Sequence, residues 1–104
     1  MPFPPKKDHR ISLADAVALT KAHRASAAKD EPKAGMWPKD VFETLLAQPG
    51  AAGIRIYHGR DAAGSRHMVM VAVDGTGEDM TATTIMEAEW PCPPWCPTNS
   101  PLQG

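Results

Sequence analysis

Apolar positions recur at helical spacing twice in the first half of the chain and at strand spacing twice in the second, with proline-rich segments at both ends. Ser12 stands three residues before Asp15, a capping-box variant that predicts a helix start at this point. Leu13, Ala16, Val17, Thr20 and Ala27 then fall on one side, and Lys21, Arg24 and Lys29 lie toward the C-terminal end, where cations complement the helix dipole. The stripe is thin and Ala-rich, so this helix is expected to lie close against its partner. Residues 30–36 read as a loop around Glu31-Pro32-Lys33-Ala34-Gly35. Pro38 suits a first helical position, and Val41, Phe42, Leu45 and Leu46 predict a second, more amphipathic helix that stops at Gln48-Pro49-Gly50. Trp37 is expected to pack over its entrance.

Gly53–His58 alternates with β-branched and aromatic residues, and Met68–Val73 is apolar on both faces, as a covered central strand would be. Asp61-Ala62-Ala63-Gly64 between them has type I turn chemistry, so the two segments form a hairpin. A four-residue loop sets His58 opposite His67, Ile56 opposite Val69 and Ile54 opposite Val71; a bulge at Gly64 shifts that register by one. After a turn at Asp74-Gly75-Thr76-Gly77, residues 80–86 are compatible with a third antiparallel strand. Residues 90–104 hold five prolines, too many for a regular ladder. The expected fold class is α+β: two N-terminal helices packed on one face of a two- or three-stranded antiparallel sheet, with an extended Pro-rich tail. The expected organisation is an arm over residues 1–10, one domain over 11–89 and a Pro/Trp/Cys tail over 90–104.

With 104 residues there is room for one small core. The net charge of −1 disfavours nucleic acid, which basic proteins capture through phosphate. Residues 1–66 carry all 11 Lys and Arg, and residues 67–104 carry 5 acids and none, a division read as solvated faces. The longest apolar run is six residues, where a membrane span needs about 20. Nothing at the N-terminus resembles a secretory leader, so the expected address is the cytoplasm, with both cysteines reduced.

The run Gln48-Pro49-Gly50-Ala51-Ala52-Gly53-Ile54-Arg55-Ile56-Tyr57-His58-Gly59, with Asp61-x-x-Gly64, Val71-Ala72-Val73-Asp74 and Pro91-Cys92-Pro93-Pro94-Trp95-Cys96, resembles a group of small bacterial proteins with no established activity. The resemblance spans most of residues 11–97. It implies a third cysteine near position 51, where this chain has alanine, a departure that weakens a three-thiol metal site.

Catalytic signatures are sparse. Gly75-Thr76-Gly77 lacks the helix and lysine of a phosphate loop, and no serine sits in a nucleophile elbow. Asp74, Glu78 and Asp79 lack the ligand order of a calcium loop. The chain is therefore read as a non-enzymatic protein-binding or self-assembly module with a protein partner or a second copy as its contact. Arg55 and Tyr57, placed on the same strand face as Met68 and Met70, are the candidate interface together with Trp90 and Trp95. The alternative is a metal-binding or thiol-redox protein, in which Cys92 and Cys96 join the opposed His58 and His67 around zinc.

Overall fold

The computed structural model describes residues 2–29 and 31–104; Met1 and Asp30, which the sequence places in the arm and the interhelical loop, lie outside them. The elements run α1 (Leu13–Ser26), β1 (Ala34–Met36), α2 (Lys39–Leu46), β2 (Ala51–Arg60), β3 (Arg66–Asp74), β4 (Ile85–Met86) and β5 (Trp90–Cys92). They form two antiparallel sheets, β1-β5 and β2-β3-β4, so the class is α+β. No helix among the described residues is long and apolar enough to cross a membrane. The chain divides into two compact units, and their limits cut across the arm, domain and tail read from the sequence. The first holds the residues up to Lys6 with Trp37–Glu89; the second holds Lys7–Met36 with Trp90–Gly104.

The first unit is built on β3, the middle strand. Met70, Val71, Ala72 and Val73 are all buried, so both faces of this segment are covered, as its unbroken apolar run requires. α2 supplies Leu45, fully buried, and packs on β2 and β3. Pro38 takes the N-cap of α2 rather than its first turn, and Trp37 meets Phe42 edge to face at 6.4 Å. Beyond the helix, Gln48 ties the turn to the far side of the sheet, since the Thr84 amide donates to its side-chain oxygen at 3.0 Å. Phe3 is docked in this unit, with ring atoms 3.8 Å from where a Cβ on Gly53 would stand. The third strand is shorter than its threonine-rich sequence suggested. Only Ile85 and Met86 pair along β3, and the stretch before them makes a single bridge, Val73 with Asp79.

The hairpin register decides which side chains share a face. The connection is five residues long, Asp61 to Ser65, with Gly64 at φ 84° and the Asp61 amide donating to the Ser65 carbonyl at 3.0 Å. Arg60 therefore pairs with Arg66, and His58 pairs with Met68 instead of with His67. The bulged alternative is the one adopted. Pairing of Tyr57 with Val69 and Ile56 with Met70 puts Arg55 and Tyr57 on one face and Met68 and Met70 on the other, correcting the shared face expected from the shorter loop.

The second unit joins two distant stretches of chain. α1 begins as its capping pattern predicts, with the Asp15 amide donating to the Ser12 hydroxyl oxygen at 3.0 Å. None of its described residues is buried, so the thin stripe does not make the close packing anticipated for it. Arg24 instead reaches the tail, donating to the Leu102 carbonyl at 2.6 Å. Residues read as loop and as irregular tail pair as β1 and β5, with Ala34 opposite Cys92, Gly35 opposite Pro91 and Met36 opposite Trp90. The Lys33 amide extends the contact, donating to the Cys92 carbonyl at 2.7 Å.

Candidate functional site

The tail of the second unit is organised by one covalent link. Cys92 and Cys96 form a disulfide with their Cα atoms 4.8 Å apart, closing a ring around Pro93, Pro94 and Trp95. The thiols expected to be reduced are thus paired, and neither sulfur is a thiolate able to ligate zinc. Within the ring the Trp95 amide donates to the Pro91 carbonyl at 2.9 Å, and the Cys96 amide to the Pro94 carbonyl at 3.0 Å. This turn brings Trp95 edge-on to Trp90, centroids 5.1 Å apart. β1 forms the opposite wall. Between them lies a groove of about 470 Å³ whose lining includes Gly35, Met36, both cysteines, Pro94 and Trp95.

The surface is apolar and exposed. Met36 is 51% exposed, Trp90 47% and Trp95 58%, while Cys92 beneath them is only 4% exposed. Proline beside Trp90, and proline with the disulfide ring at Trp95, restrict the backbone that carries both indoles, so less freedom is lost on contact. Trp90 and Trp95, both expected at an interface, are neighbours here. Gly35 and Met36 escaped notice because a glycine beside proline-rich loop residues carries no strand signal; exposed methionine in such a loop was the one available clue.

In the first unit the two histidines part company. His58 lies on the face of Met68 and Met70, and His67, paired with Gly59, on the opposite one, so they do not converge on one ion. Among the described residues no group of three or more His, Cys, Asp or Glu is arranged to hold a metal. His67 is engaged from both sides: Nε2 lies 2.9 Å from Asp61 Oδ2 and Nδ1 3.3 Å from Glu87 Oε2. A ring that faces a carboxylate at each nitrogen satisfies both when doubly protonated. The Asp61 contact first, then Glu87, raises the His67 pKa, and the imidazole in turn lowers that of Asp61.

Arg55 and Tyr57 also have partners in their own unit. The Tyr57 hydroxyl donates to Asp79 Oδ2, and Arg55 Nη1 donates to Asp79 Oδ1 and, at 3.3 Å, to the Gly77 carbonyl. This hydrogen bond to Asp79 raises the Tyr57 pKa, so the phenol is held protonated rather than activated. Asp74 is spent on its turn, where Oδ1 accepts from the Thr76 amide at 2.9 Å, the Thr76 hydroxyl at 2.7 Å and the Glu78 amide at 3.1 Å. The acidic turn thus satisfies its own backbone. Asp61, Glu87 and Asp79 were invisible as partners because their contacts depend on register and on the path of the chain around β4.

Comparison with known proteins finds no family model, no curated protein and no solved structure that matches this chain.

Proposed function

We propose that the chain is a non-enzymatic protein-binding module whose contact surface is the disulfide-closed groove of the second unit, and that its occupant is an extended apolar segment of another protein. The observation that carries this reading is that Met36 and Trp95, both exposed, line one groove, with exposed Trp90 set edge-on against Trp95. Tryptophan is enriched where binding energy concentrates, and methionine adapts to irregular partners. An extended segment is favoured because β1 borders the groove and, among the described residues, pairs on one side only, with β5. Its other edge suits strand addition, in which main-chain hydrogen bonds hold the ligand while alternate side chains enter the groove. On the partner side of that ribbon, Pro91 has no amide hydrogen to donate.

The test is selection from a random peptide library on the disulfide-intact protein, repeated with Trp95→Ala. Enrichment of an apolar motif that vanishes with Trp95→Ala supports the reading. No enrichment, or enrichment indifferent to Trp95, overturns it. Sedimentation across a concentration series separates a second copy of the chain from a different partner. The disulfide itself favours thiol chemistry at the same two sulfurs as a second reading.

A further inference from the structure

The two sulfurs of the ring are not equivalent. Cys92 sits in β5, opposite Ala34, with its carbonyl held by the Lys33 amide, and is buried. Cys96 lies past the turn and is partly exposed, so of the two sulfurs that border the groove it belongs to the more accessible residue. Thiol–disulfide exchange begins with in-line attack on a sulfur that the incoming thiolate can reach, so access selects between the two. We propose that the Cys92–Cys96 disulfide is a thiol–disulfide exchange site at which a dithiol attacks Cys96 and expels Cys92, and that this exchange opens the groove.

The step balances as follows in atoms and electrons. A thiolate of the dithiol forms a new S–S bond to Cys96 Sγ as the Cys92–Cys96 bond breaks. Cys92 Sγ leaves with the bonding pair and takes a proton from water. The second thiol of the dithiol gives its proton to water and attacks its own partner sulfur in the mixed disulfide. That releases Cys96 as a thiolate and leaves the dithiol oxidised to its internal disulfide. The protein has gained two electrons and, once Cys96 is protonated, two protons.

Departure of a sulfur into an apolar site is slow, because the thiolate it leaves as is poorly solvated. Such a pair suits a switch thrown once by a dithiol better than a catalyst that turns over. The consequence follows from what the ring holds. Trp95 lies inside it, and its contact with Trp90 and the Pro94 wall depend on a turn that the disulfide closes. Reduction leaves the inside of that turn to two backbone hydrogen bonds among the described residues, Trp95 to Pro91 and Cys96 to Pro94. The chemistry stands without the binding reading above; only the effect on peptide capture rests on it.

The experiment treats the full-length oxidised protein with glutathione under native conditions, followed by rapid alkylation and peptide mapping. Glutathione on Cys96 with the alkyl group on Cys92, exceeding the reverse product by about tenfold, is the expected result. Equal adducts, an excess on Cys92, or reduction only after denaturation would overturn the proposal. In parallel, the indole N–H resonances of the wild-type chain are followed as dithiothreitol is added. Trp90 and Trp95 are expected to shift and Trp37 to stay; unmoved Trp95 refutes the opening of the groove. Because neither readout contains a peptide, failure of peptide selection removes the binding reading alone.

Discussion

Asp61 and His67 face each other across the β2–β3 turn with 2.9 Å between Oδ2 and Nε2, and Asp61 closes that turn with its other oxygen. Oδ1 accepts from the Ala63 amide at 2.9 Å and the Ser65 amide at 3.0 Å, so one carboxylate both shapes the loop and clamps the first residues of β3. The five-residue loop that moved the register by one is thereby tied to a titrating side chain.

The stability of the first unit should depend on pH through this pair. His67 has a folded pKa above its ordinary 6.5, so its contribution is complete below that value and lost as pH rises through the folded pKa. Asp61 has a folded pKa below its ordinary 3.8, so its contribution is complete above 3.8 and lost as pH falls through the folded pKa. The expected profile is a plateau between these ordinary values, with a decline on the alkaline side from His67 and one on the acid side, below 3.8, from Asp61. Urea unfolding at a series of pH values measures it, and His67→Gln should flatten the alkaline decline. An imidazole proton titration of His67 centred at or below 6.5 would contradict the clamp.

Tyr57 is the chain's single tyrosine, which makes its ionisation directly visible in ultraviolet absorbance. Held by Asp79, the phenol should titrate above its ordinary 10.0. Asp79→Ala removes the acceptor and the negative charge, and the midpoint should fall back toward the ordinary value. An unchanged midpoint would mean that the hydrogen bond does not persist in solution.

Leu45 and Met70 are the largest fully buried side chains, one from the helix and one from the central strand. Replacing either by alanine leaves a cavity and should cost about 2–5 kcal/mol. Met68, two strand pairs further toward the turn and only partly buried, should cost less. Denaturant unfolding of the three variants gives the order, and a Met68→Ala loss equal to that of Met70→Ala would contradict the assigned burial.

Gly64 holds φ 84° with open space where a Cβ would stand, so substitution there is opposed by backbone conformation alone. Gly64→Ala should cost about 1–2 kcal/mol, the typical penalty of a left-handed residue. Gly64→Asn should cost less, because asparagine tolerates this region. Equal costs would point to a different loop conformation.

The elements with strong local signals were legible in the sequence. Ser12 caps α1 as its spacing predicts, the α2 pattern of Val41, Phe42, Leu45 and Leu46 delivers Leu45 to the core, and the apolar run of β3 lies between two strands. What escaped depends on long-range geometry. Local turn chemistry admits both a four-residue and a bulged loop, and the choice between them separated His58 from His67 and Tyr57 from Met70. β1 was hidden because Ala34-Gly35-Met36 has no strand propensity and pairs only by meeting a partner more than 50 positions away. The tail's prolines argued against a ladder and were overruled over three residues. The cysteines were visible as a pair, but spacing alone does not say whether two sulfurs are bonded, free or metal-bound.

Met36 and Trp90 are cross-strand neighbours, and the 53 residues between them belong to the other unit. Residues 37–89, the larger part of the first unit, are thus an insertion in the sequence of the second, which the chain enters and leaves through the adjacent strands β1 and β5. During synthesis the inserted segment emerges complete before β5 exists, so α2 and the three-stranded sheet are free to form while β1 waits with an unpaired edge. Closure of the β1–β5 ladder then comes last and meets the entropy of joining ends already drawn close by a folded insert rather than separated by a random coil of the same length. The same arrangement marks residues 37–89 as a cassette: a short turn spliced between Met36 and Trp90 would preserve the β1–β5 ladder and leave the Cys92–Cys96 ring and its Trp90–Trp95 contact in place.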